Sequence, residues 1–257
     1  MRLSPRHPRY ASLRIRARLA RAARDGLVVP EGLIAHGRGE TFDYLLGERT
    51  TPSARRATRA AAQWLRAARR PVISVNGNVA ALAAPEVAAL QRALPNLGVE
   101  VNLFHRTPRR VALVARELRR AGVREILGLR PTGRIPRLPS DRAPVDCRGI
   151  GAADVCVVPL EDGDRTEALR ALGKRVIAID LNPLSRTSRS ADLPIVDELV
   201  RALGNLRRDL SERGRPPTPG RFAPFDAAAA LRASRRAIDR QLRREARAPS
   251  RPSPRRR

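Results

Sequence analysis

The sequence predicts an α/β chain: a parallel sheet with helices on both faces, an N-terminal helical segment, and a helical C-terminal extension running into a disordered tail. Two observations carry this. Short apolar runs, "PVISV", "GVEVNLF", "VCVVPL" and "VIAIDL", alternate with longer helical stretches, and strands separated by helices pair in parallel. Helix starts are also marked by a capping residue followed by proline, at Thr51-Pro52 and Thr107-Pro108.

In order along the chain, residues 8–25 read as a helix closed by Gly26. "LIAHGRGETFDYLLGERT" follows. Its two glycines around Arg38 suggest a backbone that can approach another molecule closely, with Arg38 as a planar fork for phosphate or carboxylate. Thr51 caps a helix that runs into the strand Val72–Val75, with Asn76-Gly77-Asn78 as a turn at its carboxyl end. A helix leads to "GVEVNLF", Thr107 opens a helix to Arg120, and "EILG" is a weak strand. Residues 128–152 hold four prolines and read as irregular, and so long a segment inside a domain is usually functional. "DVCVVPL" (strand), "DRTEALRALG" (helix, with Asp164 a candidate cap) and "RVIAIDL" (strand) complete the sheet. "FDAAAALRASRRAIDRQLRREA" can form a helix with Leu231, Ile238 and Leu242 on one face. Residues 1–215 are read as one α/β domain and 216–257 as a basic extension.

Hydrophobic residues make up 42% of the chain, enough for a core. No apolar run is long enough to span a membrane, and the N-terminus lacks a signal peptide's apolar stretch. Cys147 and Cys156 lack metal-type spacing and read as reduced thiols, which points to the cytoplasm. The net charge is +27, and Lys174 is the single lysine among 52 basic residues. Residues 205–257 alone hold 16 basic and 5 acidic residues. Such a chain contacts nucleic acid non-specifically at low salt. With aromatics at 3% and no nucleic-acid signature, specific recognition is not indicated, although an arginine-rich nucleic-acid-binding protein and a non-catalytic nucleotide-binding dimer remain alternative readings.

Parallel sheets bind ligands at the carboxyl ends of their strands, and four such ends here are polar. They read Asn76-Gly77-Asn78, His105-Arg106-Thr107, Glu161-Asp162-Gly163-Asp164-Arg165-Thr166, and Asp180 through Thr187. Together they offer amides for hydroxyls, arginines for phosphates and carboxylates for Mg²⁺ or an amine. No phosphate-loop motif is present, and "GIGAAD" at 149–154 precedes a strand where a dinucleotide glycine signature would follow one. No Ser/His/Asp order or metal-ligand histidine cluster emerges from three histidines.

The blocks "HPRYASL", "GLIAHGRGETFDYLLGERT", "PVISVNGNVAAL", "NLFHRT", "VVPLEDGDRTEAL" and "VIAIDLNPLSRTSRSAD" occur in this order between residue 7 and about residue 200. In this the chain closely resembles the archaeal phosphopantothenate synthetases, or 4-phosphopantoate–β-alanine ligases. The resemblance implies a Rossmann-like homodimer that joins 4-phosphopantoate to β-alanine through an acyl-adenylate, splitting ATP to AMP and pyrophosphate, in coenzyme A biosynthesis. It places ATP contacts at Arg16, Arg38, Asp180, Leu181, Asn182, Arg186, Thr187 and Glu198, the last as a backbone contact. Mg²⁺ would accompany ATP, with no dedicated protein metal site. Rim position suggests Asn76, Asn78, His105 and Arg106 for 4-phosphopantoate, and Asp162 or Asp164 for Mg²⁺-ATP or the β-alanine ammonium.

Overall fold

A computed structural model describes residues 4–7, 9–212 and 217–247. Helix α1 (Tyr10–Arg24) ends in Gly26 at φ 77°, as the sequence predicts. Helix α2 (Pro30–Leu46) is the first departure. The glycine-arginine stretch is not an open loop: Gly37 and Gly39 lie inside this helix. A helical glycine costs about 1 kcal/mol relative to alanine. Pro30 at the first turn and Gly47 in the left-handed region at the end fix the helix nonetheless.

Helix α3 (Pro52–Ala67) begins at the Thr51 cap, whose Oγ1 accepts the Ala54 amide at 3.1 Å. Strand β1 (Pro71–Val75) is wholly buried. Asn76, expected in a turn, caps α4 (Gly77–Ala93), so Gly77 and Asn78 form its first turn. Strand β2 (Gly98–Val101) stops earlier than the run "GVEVNLF" implied. Helix α5 (Pro108–Arg120) starts at the Thr107 cap. The weak strand "EILG" contributes one bridge, Leu127 to Glu100.

The irregular segment contains a two-residue hairpin, β3 (Gly133–Arg134) with β4 (Pro144–Val145). It packs as a lid of buried Ile135, Leu138, Ala143, Val145 and Ile150. Buried Glu100 fastens it, accepting the amides of Asp146 at 3.0 Å and Ile150 at 2.6 Å.

Strand β5 (Val155–Pro159), helix α6 (Gly163–Ala171) and strand β6 (Arg175–Ile179) follow as predicted. The cap of α6 is a second departure. Asp162 holds the cap position, without a side-chain bond, and Asp164 lies in the first turn. Three elements went unread: α7 (Arg186–Ser190), β7 (Leu193–Ile195) and α8 (Leu199–Ser211). Helix α9 (Ala227–Arg247) packs on α2 and α3. There Leu231 is buried and Ile238 partly so, but Leu242 is exposed and leaves the predicted face. The predicted disordered tail beyond residue 247 lies outside the described residues. No helix among those residues is long and apolar enough to cross a membrane.

Five strands form one parallel sheet in the order β2-β1-β5-β6-β7. Alternate strand residues face opposite layers. Ile73, Val75, Val157, Ile177 and Ile195 join the cluster under α3, α4 and α8, while Val72, Cys156, Val158 and Val176 face α6 and the lid. The chain leaves β1 outward to β2, then returns past β1 to β5. The order therefore reverses between β1 and β5, where ligands of such sheets bind, outside the carboxyl ends of the strands.

Candidate active site

A cleft of about 270 Å³ opens at that reversal. Its floor is strand ends: Asn76, Gly77 and Asn78 after β1, Leu103 and Phe104 after β2, Leu160 to Asp162 after β5, and Asp180 after β6. One wall is α2, with Glu31, Gly32, His36 and Arg38 facing in, and Arg110 and Arg142 close the far side.

Asn76 ties two strand ends together. Its Oδ1 accepts the Val79 amide, and its Nδ2 donates to the carbonyls of Pro159 at 3.1 Å and Leu160 at 3.0 Å. Leu160 sits at φ 51°, a strained conformation for a leucine, and such residues concentrate at functional sites. Asn78 donates to the Gly32 carbonyl at 2.8 Å, joining α4 to the α2 wall. A methyl group at Gly32 would meet Asn78 Oδ1 at 2.5 Å, and one at Gly77 would meet the Leu27 carbonyl oxygen at 2.5 Å. The glycines here thus serve close packing.

Charges divide the cleft. At one end Asp180 accepts the Asn182 amide at 2.9 Å and the Ser185 hydroxyl at 2.5 Å. Burial pushes its carboxyl above the ordinary range, opposed by those bonds and the charge of Arg38. Arg38 is exposed and makes no ion pair among the described residues. Glu40, its nearest acidic neighbour in sequence, is taken by Arg9 and Arg16. Burial also lowers the His36 imidazole, favouring its neutral form.

In the middle sits a buried charge network. Glu161 pairs with fully buried Arg165 and, at 2.7 Å, with Arg142. Arg142 also reaches Asp162 at 3.0 Å. Burial raises the Asp162 carboxyl, and Arg142 pulls it back down. At the other end Arg110 donates to the carbonyls of Phe104 (2.7 Å) and His105 (2.5 Å). Burial lowers the Arg110 guanidinium, and nearby Arg142 lowers it further.

The expected residues separate into those the cleft collects and those it does not. Arg38, Asp162, Asp180, Asn76 and Asn78 converge. Leu181 is buried one residue below, against Gly39 and Leu231. Asn182 and Thr187 shape the turn after β6, with Thr187 Oγ1 donating to the Glu161 carbonyl at 2.6 Å. Glu198 caps α8, its carboxylate accepting the Arg201 amide at 2.9 Å, so its side chain is occupied. Arg16 stands behind His36, held by both Glu40 oxygens at 2.8 Å. Arg186 and Asp164 pair with each other on the outer side of α6, where Arg186 also binds Glu167. His105 is exposed and turns toward Glu31 at 3.8 Å. Arg106 points away, donating to the Gly128 carbonyl at 2.6 Å.

Sequence reasoning placed Glu161 on the rim without giving it a role, and it missed Arg110, Arg142 and His36. Arg110 follows the recognised Thr107 cap by three residues, and the first turn of α5 carries it back over the strand end. Arg142 lies in the irregular segment, where no periodicity points inward.

Among the described residues no group of three His, Cys, Asp or Glu side chains could hold a metal. Residues 53–241 match the family model described as phosphopantothenate/pantothenate synthetase. The chain is 54% identical over 213 residues, 81% of each chain, to the 4-phosphopantoate–beta-alanine ligase of Thermococcus onnurineus. It is 55% identical over 206 residues to the enzyme of that name from Methanospirillum hungatei, covering 80% of this chain and 84% of the relative. A relative of the same name from Thermococcus kodakarensis is 53% identical over 213 residues.

Proposed function

Because the chain belongs to the phosphopantothenate/pantothenate synthetase family, we propose that it is an ATP-dependent ligase that condenses 4-phosphopantoate with β-alanine to 4′-phosphopantothenate. It would act as a cytoplasmic homodimer and supply coenzyme A biosynthesis. The observation that carries this reading is the switch-point cleft, whose ends hold two separate arginines, Arg38 and Arg110, with an acidic residue, Asp162, between them.

A carboxylate is a poor acyl donor, so its oxygen first attacks the α-phosphorus of ATP and displaces pyrophosphate. The β-alanine amine then attacks the acyl-adenylate carbonyl and displaces AMP. Both steps depend on holding reactants in line. The Arg38–Asp180 end is assigned to ATP, with Arg38 stabilising charge on the phosphates. Asp162, with its raised carboxyl pKa, sits between the two ends and is placed to hold the β-alanine ammonium and take its proton.

Mg²⁺ is commonly held by one or two carboxylates together with substrate phosphates. Asp180 is occupied by Asn182 and Ser185, and Glu161 by two arginines. Asp162 pairs with Arg142 and is assigned to the ammonium, so the ion would be carried on the ATP phosphates themselves. Bound there, Mg²⁺ would offset the charge of the ATP phosphates. The decisive assay measures AMP with ATP and 4-phosphopantoate, with and without β-alanine. AMP and 4′-phosphopantothenate formed in equal amounts support the reading, and ADP or no nucleotide product would end it.

A further inference from the structure

The family description covers both a phosphorylated and an unphosphorylated product, so some feature of a member must choose between the two acids. We propose that Arg110, in the first turn of α5 and beside the amino end of α4, is the seat of the acid substrate's phosphate and sets the preference for 4-phosphopantoate over pantoate. The inference rests on the ligase reading above.

Three cleft arginines could take an anion, and their partners separate them. Arg142 is offset by Glu161 and Asp162. Arg38 lies at the Asp180 end, assigned to ATP. Arg110 has no carboxylate within ion-pair distance among the described residues. Its terminal nitrogens contact only the carbonyls of Phe104, His105 and Leu27. Its Nε is buried and has no partner. Glu31, the carboxylate whose charge acts on it, sits across the cleft mouth, nearer His105. A partly buried cation held by backbone carbonyls, with a spare donor, is an incomplete anion site.

The surroundings complete it. Gly77 opens α4 and lacks a side chain where a methyl group would lie 3.2 Å from Arg110 Nη2. The Asn76 cap engages the Val79 amide and leaves the amides of Gly77 and Asn78 without partners among the described hydrogen bonds. The positive end of the helix dipole and these amides favour a dianionic phosphate beside the guanidinium.

The test compares 4-phosphopantoate with pantoate on the wild type, Arg110→Gln and Arg110→Lys. It reads AMP formation at saturating ATP and β-alanine, and binding of each acid by calorimetry. The expected result is a loss of about 10²-fold or more in kcat/KM and affinity for 4-phosphopantoate, with pantoate and the KM for ATP within about threefold. Arg110→Lys should recover only part of the loss, because it keeps charge without the fork. A purely structural Arg110, steadying the Phe104–His105 turn, would lower both acids alike, and that result overturns the proposal. So does an unchanged preference. Arg110-dependent binding without AMP formation would instead sink the ligase reading and leave the phosphate seat standing.

Discussion

Replacing Arg142 with leucine removes two ion pairs that tie the lid over residues 128–152 to the acidic turn after β5. The side chain is nearly buried and contacts Glu161 at 2.7 Å and Asp162 at 3.0 Å. Removing one partner of a buried pair costs roughly 3–5 kcal/mol, because the remaining charge is stranded. Glu161 is not fully stranded here, since Arg165 stays beside it. The expected loss is therefore about 2–3 kcal/mol, or about 4–12 °C in Tm for a chain of this size. The loss should also depend on pH. Burial already holds the Asp162 carboxyl above the ordinary range, against the pull of Arg142. Its folded pKa thus exceeds its unfolded one, folding favours the neutral form, and stability falls as pH rises between the two values. Without Arg142 that gap widens. The variant's deficit should then be smallest near about pH 3, where an unfolded aspartate is largely protonated, and grow toward neutrality. Urea melts of both proteins from acid to neutral pH measure this. A deficit below about 0.5 kcal/mol, or one constant across that range, would refute the reasoning.

Arg38→Lys should cut kcat/KM by about 10²-fold, near 2.7 kcal/mol of transition-state stabilisation, in the AMP assay. Asp162→Asn should lower kcat by at least about tenfold, whereas Asp164→Asn, which loses only an exposed pair with Arg186, should leave kcat and Tm near wild type. Gly77→Ala forces a methyl group to 2.5 Å from the Leu27 carbonyl oxygen and should destabilise the fold by about 1–3 kcal/mol in thermal melts. Deleting residues 248–257, which carry four arginines, should leave ligase activity unchanged and flatten the salt dependence of DNA binding in filter assays.

What the sequence disclosed follows from how local each signal was. The caps Thr51 and Thr107 and the strands around Val72, Val155 and Val176 announce themselves within a few residues, and the structure keeps them. The four polar strand ends were legible because parallel topology alone puts strand carboxyl ends on one rim. Direction along that rim was not legible. Arg106 and Arg110 are neighbours in sequence, yet the start of α5 sends one outward to Gly128 and the other into the cleft. Asp162 and Asp164 separate for a similar reason, since the first turn of α6 turns them to opposite sides. Helix α2 defied its glycines because proline and Gly47 at its ends, and Arg201 paired with Asp43 on its flank, act from outside the motif. The unread β7 is a three-residue strand, too short to show a period.

The charges beneath the cleft give the molecule an uneven response to heat. Glu100, Arg142, Glu161 and Arg165 are all withdrawn from water where the sheet meets the lid. Ion hydration weakens as temperature rises, so the penalty for withdrawing these groups shrinks, while apolar burial elsewhere reaches a plateau. On warming, the floor of the cleft loses less of its hold than the layers around it, and the strand ends stay in register for chemistry closer to the temperature at which the outer helices begin to loosen.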